Sequence, residues 1–161
     1  MSSFSNTSHL GAQRVFVVLA GLWVGSLLTV GYLVAPAIFS TMTDRQAAGM
    51  VAGAIFKFEA YFSLIVCIGL MVLANLLVSR GLNQFRFVRW LLLVMLVCAI
   101  LAAFVFIPWM ETLRDEALLQ GMPVMLSPSA QMFSRLHGFS SVIFMIESIL
   151  GVYLVWRLSA K

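Results

Sequence analysis

One acidic residue, Glu147, lies inside a long apolar stretch near the end of the chain. It follows His137 by ten residues, and a helix of that length rises by about 15 Å. If this stretch crosses a membrane, Glu147 lies near the middle of the bilayer, where acidic residues usually face the interior of a helix bundle. Such a carboxylate could relay protons or bind a cation. The alternative is a structural hydrogen bond to Ser63, Thr29 or the backbone.

A second polar group is expected at the outer end of the same stretch. His137 lies there, at about the level of Lys57 and Glu59 on an earlier helix. Because Lys57 and Glu59 are two residues apart, they point to opposite sides of that helix, and only one of them can face a given partner. His137 with either residue could form the gate of an outward-facing pocket. The alternative is a polar belt at the membrane interface.

Methionine is frequent on the segments that we expect outside the membrane, which hold six of the ten methionines. Thioethers suit soft ions such as Cu(I), so Met122, Met125 and Met132 join His137 as candidate metal ligands. The methionines form no dense repeated motif, and methionine also fills irregular apolar gaps. No catalytic motif is present, so we expect no enzyme and no cofactor is implied.

Four apolar stretches must position these residues, and they occupy most of the 161-residue chain. They cover about residues 15–39, 58–79, 89–110 and 137–157, and roughly 20 apolar residues in a helix cross a bilayer. We therefore predict an all-α polytopic membrane protein, a four-transmembrane-helix bundle whose first partner is the lipid bilayer. Residues 14–158 form this one domain, after a disordered cytoplasmic N-terminus at residues 1–13.

The positive charges predict the orientation of the bundle. The net charge is +4, and one side of the predicted bundle holds six basic residues without any acid: Arg14, Arg80, Arg86, Arg89, Arg157 and Lys161. Lys and Arg accumulate in cytoplasmic loops, so both termini are expected inside a bacterial inner membrane. These charges favour anionic lipid head groups and give no indication of nucleic-acid binding.

Short motifs predict helix ends and helix contacts. Thr43 with Gln46 resembles a capping box at the start of the second helix, and Ser127 before Pro128 is a typical start for the fourth. Two Gly-x-x-x-Gly patterns, at residues 21–25 and 49–53, predict a tight seam between the first two helices. Most of the four tryptophans fall near predicted span ends, as interface anchors do.

The two predicted hairpins share two landmarks. Pro36 and Pro108 each end a span, and each is followed thirteen residues later by Gly-Met, at Gly49 and Gly121. A duplicated hairpin would give parallel repeats about an axis normal to the membrane. Chance is the alternative explanation of so few shared positions.

Several short segments resemble a known family of four-span proteins. These segments are Leu22–Ser26, Val34–Phe39, Ala48-Gly49 with Phe56, and Arg135–Gly138. They resemble the transmembrane protein 205-like domain family, which is similar to copper-resistance D-type membrane proteins. The resemblance implies handling of soft metals or small solutes. It transfers no catalytic residue and offers His137 only as a family feature.

Together these observations predict binding or transport of a small solute, a cation or a soft metal ion. Glu147 would be the intramembrane site, and His137 with Glu59 or Lys57 the outer gate. The alternative is a non-catalytic accessory or assembly subunit of a larger membrane complex. Four spans enclose little room for a pathway, so we expect a homo-oligomer or a membrane partner for either role.

Overall fold

The protein is a bundle of four long helices that are joined by short turns. The computed structural model describes the backbone of residues 3–159 and the side chains of residues 10–159. Span one is Leu10–Thr41, span two is Arg45–Ser79, span three is Phe85–Leu119 and span four is Ala130–Ser159. Each is long and apolar enough to cross a bilayer. The predicted all-α, four-transmembrane-helix class is confirmed, and the side on which the termini lie stays a prediction.

Two of the four spans are composite helices. The helical segments in chain order are Ser3–Thr29, Val30–Val34, Ala35–Thr41, Arg45–Ser79, Phe85–Leu101, Ala102–Phe106, Ile107–Leu119, Val124–Leu126 and Ala130–Ser159. The segments Val30–Val34 and Ala102–Phe106 are π-helical, and each is followed by a helical turn that contains a proline. Proline has no N–H to donate to the helical ladder, so a wider turn before it lets the backbone re-pair. Spans one and three are therefore interrupted at corresponding places.

The ends of the helices differ from the prediction in three places. The first helix is described from Ser3 onward, before residue 14, at which the predicted domain begins; extending an existing helix costs little. Span two is capped by Asp44 rather than Thr43, because the Asp44 carboxylate accepts from the N–H groups of Gln46 and Ala47 at 2.8 and 3.2 Å. Ser127 precedes span four, which begins three residues later, at Ala130.

The four spans form a ring in which each helix has two neighbours. Span one packs against spans two and four, and span three packs against the same two. Consecutive spans run in opposite directions, so spans one and three are parallel and lie on opposite sides of the ring. Apolar side chains such as Leu22, Phe58 and Ile65 are exposed on the outside, where lipid would contact them. The interior is therefore the place for polar groups.

The expected tight seam of glycines is wrong. Gly21, Gly25 and Gly49 have open space where a side chain would be, and at Gly53 that space meets Arg114 instead. Trp23 is not among the tryptophans at span ends, since its side chain is fully buried in the bundle. The sequence shows the spacing of these residues but not the side of the helix that faces the neighbour.

Candidate functional site

Glu147 lies in the interior of the bundle. Its exposed fraction is 4%, and its neighbour Ser148 is also buried on span four. Within the described part of the chain, Oε1 of Glu147 is buried and has no hydrogen-bond partner. A buried polar atom without a partner is costly, and a buried charge more so. The carboxyl group of Glu147 is therefore available to bind a proton or a cation.

A second carboxyl, that of Glu59 on span two, is also buried, with an exposed fraction of 8%. It accepts a hydrogen bond from the hydroxyl of Ser26 on span one, with 3.1 Å between Oγ and Oε1. Oγ of Ser26 also lies 2.8 Å from the backbone oxygen of Trp23, so the two acceptors share the single hydroxyl proton, and the position of the hydroxyl is fixed by the helix. Glu59 is thereby oriented by a neighbouring span, and the outer gate expected of it is replaced by an interior position.

The two carboxyls lie on spans two and four and are both buried in the bundle. Oε1 of Glu147 makes no hydrogen bond to Glu59 in the described residues. One helical turn away on each span, the rings of Phe56 and Phe144 meet edge to face, with 5.3 Å between their centroids. We call Glu59 and Glu147 the carboxyl pair. Two like charges in a low-dielectric interior repel strongly, which favours a proton or cation between them.

Trp23 and Ser63 lie beside the carboxyl pair. Nε1 of Trp23 donates to Oγ of Ser63 at 2.8 Å, and both side chains are buried. Ser63 lies one helical turn from Glu59. One structural alternative for Glu147 was a hydrogen bond to Ser63, but Ser63 is hydrogen-bonded to Trp23 instead. Sequence analysis missed Trp23, because an indole in an apolar stretch is as easily explained by the membrane interface.

Two cysteines are also buried in the bundle. Cys67 on span two and Cys98 on span three are both free thiols. The thiol of Cys67 donates to the backbone oxygen of Leu92 at 3.2 Å. Their burial as small side chains agrees with their positions inside predicted spans.

The structure does not bring the predicted gate residues together. His137 is exposed on span four, and no ion pair joins it to Lys57 or Glu59 in the described chain. Lys57 instead pairs with Glu111 after span three, with 2.8 Å between Nζ and Oε2. Both partners lie on the side that we expect outside the membrane. They are 54 positions apart in the sequence, and nothing in the sequence indicated the pair.

The candidate methionine ligands also stay apart from an acidic or histidine cluster. Met125 and Met132 are exposed, whereas Met122 is half-buried. The sulfur of Met125 accepts from the hydroxyl of Ser134 at 3.9 Å. Met122 and Met125 form a Met-x-x-Met unit that the sequence analysis did not single out. Among the described residues, no three His, Cys, Asp or Glu side chains are grouped as metal ligands would be.

A shallow groove lies far from the carboxyl pair, beside the basic turn between spans two and three. Its volume is about 210 Å³, and it is lined by Met71, Asn75, Arg89, Trp90 and Leu93. Nη1 of Arg89 donates to Oδ1 of Asn75 at 2.9 Å. A cationic group beside an indole suits the head-group region of a bilayer.

Four long apolar helices around buried carboxyls define the class, an integral membrane protein with an ionisable site inside its bundle. The chain belongs to a membrane family known by its domain of unknown function, DUF4149, whose family model matches residues 18–118. The match includes Ser26 and Glu59, whereas His137 and Glu147 lie beyond it. It does not support the narrower resemblance to transmembrane protein 205-like or copper-resistance D-type proteins. No curated protein and no solved structure matches the chain.

Proposed function

We propose that the protein binds and releases a proton at the carboxyl pair, and that this is the coupling site of a small membrane transporter. The observation that carries the proposal is the buried Oε1 of Glu147, which has no partner among the described residues. Intramembrane acids of this kind commonly relay protons in pumps and transporters. Glu59, held by Ser26, supplies the second acceptor.

A proton fits this site better than a larger ion does. A metal ion needs several ligands around it, whereas Oε1 of Glu147 has no other polar atom within hydrogen-bond distance in the described chain. A proton needs only the carboxyl itself and removes the repulsion between two buried charges. The soft-metal function implied by the family resemblance is less well supported, because His137 and the candidate methionines lie outside the bundle interior.

The test is infrared spectroscopy of the protein in lipid bilayers while the pH is raised in steps. Protonated carboxyls have their own carbonyl band, which disappears as the proton leaves. We expect a titrating band in the wild type that Glu147→Gln removes and Glu59→Gln alters. The matched control is Glu116→Gln, which changes an exposed carboxyl on the outer part of span three and should leave the band unchanged.

Transport is then measured in proteoliposomes that contain a pH-sensitive dye. An imposed membrane potential should drive proton entry through the wild type and the Glu116→Gln control, and much less through Glu147→Gln. A band and a flux that are the same in Glu147→Gln and wild type would contradict the proposal. The function as an accessory subunit would then be favoured. Metal handling is checked separately by comparing the binding of Cu(I) and Ag(I) to the wild type and to His137→Ala.

A further inference from the structure

Spans one and three have the same landmarks 72 residues apart. Their prolines are Pro36 and Pro108, and their π-helical segments are Val30–Val34 and Ala102–Phe106. A π-helical turn is uncommon in proteins, so its presence at the same offset in both spans adds to what the prolines show. The structure therefore strengthens the similarity that the two prolines suggested in the sequence.

The buried positions of these two spans match at the same offset. Four pairs are buried in both members: Phe16 with Val88, Ala20 with Leu92, Trp23 with Met95, and Leu27 with Ala99. Most of these residues differ in type, and the shared property is the side of the helix that faces inward. Spans one and three thus present the same face to the same neighbours.

Spans two and four match in the same way at an offset of 88 residues. Four pairs are again buried in both members: Ala48 with Leu136, Glu59 with Glu147, Ala60 with Ser148, and Ser63 with Gly151. Phe56 and Phe144, whose rings are in contact, have this spacing too. The offset is 16 residues larger because Glu147 follows Pro108 by 39 residues, whereas Glu59 follows Pro36 by 23. The extra residues include a longer end of span three and a longer segment before span four.

The packing of the ring agrees with two equivalent hairpins. Each of spans one and three contacts both of spans two and four, as a twofold axis along the membrane normal requires. Equivalent contacts are made by different residues: Trp23 donates to Ser63 in the first hairpin. In the second, the methyl group of Met95 lies 3.4 Å from where a Cβ of Gly151 would be. The phenylalanine pair, Phe56 and Phe144, is in contact across this axis, and each member lies one helical turn from a member of the carboxyl pair.

The equivalence assigns a counterpart to Ser26, which donates to Glu59. At the offset of 72 residues the counterpart is Cys98, which is buried on span three. We propose that Ser26 and Cys98 are equivalent positioning residues, and that the change from hydroxyl to thiol makes the two carboxyls unequal: Glu59 is tied and Glu147 is free. A thiol is a much weaker donor than a hydroxyl, which explains why Oε1 of Glu147 lacks the partner that Glu59 has. In terms of the proposed function, on which this inference builds, Glu147 is the carboxyl that exchanges the proton.

The test is nuclear magnetic resonance of the protein in lipid bilayers, with glutamate labelled by carbon-13 at the side-chain carboxyl. The signals of the pair are assigned from Glu59→Gln and Glu147→Gln. Cys98→Ser supplies a hydroxyl at the equivalent position with almost no change in volume. We expect Cys98→Ser to move the Glu147 signal toward the Glu59 signal. The movement should be at least half of the distance between the two signals in the wild type. Cys98→Ala is the matched control, since it removes the thiol without adding a donor.

Ser26→Ala is the reciprocal variant and should move the Glu59 signal alone. The inference is wrong if Cys98→Ser leaves the Glu147 signal in place, or if Cys98→Ala moves it as far toward the Glu59 signal. It is also wrong if Ser26→Ala moves both signals alike. Carboxyl signals report hydrogen bonding in either protonation state, so the outcome does not depend on proton release. Absence of a titrating carboxyl in the infrared experiment would overturn the proposed function and leave this equivalence standing.

Discussion

Replacing Gly31 by alanine should disturb the axis of the bundle. Gly31 lies in the π-helical part of span one, directly against the ring of Phe144. An added Cβ would lie 2.5 Å from Cζ of that ring and closer still to Cε1. The ring must retreat by about 1 Å to reach the 3.4 Å at which ordinary contact begins. Phe144 also packs against Phe56 and Tyr32, so it cannot move without breaking contacts.

The expected cost follows from this overpacking. One extra methyl group in a well-packed interior costs about 1–3 kcal/mol, and displaced aromatic contacts add roughly 0.5–1.5 kcal/mol. The gain in helix propensity from glycine to alanine offsets up to about 1 kcal/mol of this. We therefore expect Gly31→Ala to lower the free energy of unfolding by about 2 kcal/mol.

The measurement is unfolding in mixed micelles by titration with a denaturing detergent. Gly25→Ala on the same span is the matched control, because nothing lies within 4 Å of the Cβ that it adds. It should be neutral or stabilising by up to about 1 kcal/mol. Equal stabilities for the two variants would refute the packing of Phe144 against Gly31, and with it the close approach of spans one and four at this level.

Three further predictions concern hydrogen bonds, charges and orientation. Ser63→Ala leaves the buried indole N–H of Trp23 without its partner and should cost about 1–3 kcal/mol; adding Trp23→Phe should cost less than the two single changes combined, as a double-mutant cycle of unfolding would show. Lys57→Gln and Glu111→Gln together should lower the free energy of unfolding by less than the sum of the two single changes. This coupling energy should shrink in high salt because the ion pair is partly exposed. A cysteine placed in the turn at residues 80–84 of a cysteine-free variant should react with an impermeant thiol reagent only after spheroplasts are opened, because the basic turn is expected inside.

The fold could be predicted from the sequence because hydropathy alone decides it. In lipid every backbone group must be paired within a segment, so an apolar stretch of sufficient length becomes a helix. The positions of the helix ends were less certain, since they depend on which polar side chain reaches the free N–H groups. Thr43 and Asp44 are both suitable caps, and the geometry of the chain selects Asp44.

The site could be predicted only in part. Glu147 stands out because an acid in an apolar stretch is rare and faces inward. Glu59 was expected at the outer end of its span, at about the level of His137 on span four. In the structure Lys57 and Glu59 have different partners. Lys57 contacts Glu111 on span three, whereas Glu59 lies in the interior and contacts Ser26. A helix rotates by about 100° per residue, so neighbours in sequence can belong to the interface and to the core.

The relation between the hairpins is difficult to recognise in the sequence. Equivalent positions keep the side of the helix that faces inward but do not keep the residue type. Trp23 and Met95 share a buried position but no chemistry, and the same holds for Ser63 and Gly151. At one pair of equivalent positions, Glu59 and Glu147, the two hairpins carry the same residue, and both carboxyls are buried in the bundle. Two identical environments would give both carboxyls the same tendency to hold a proton. A single substitution next to one of them, serine in one hairpin and cysteine in the other, is enough to fix one carboxyl in a hydrogen bond and leave the other free to exchange.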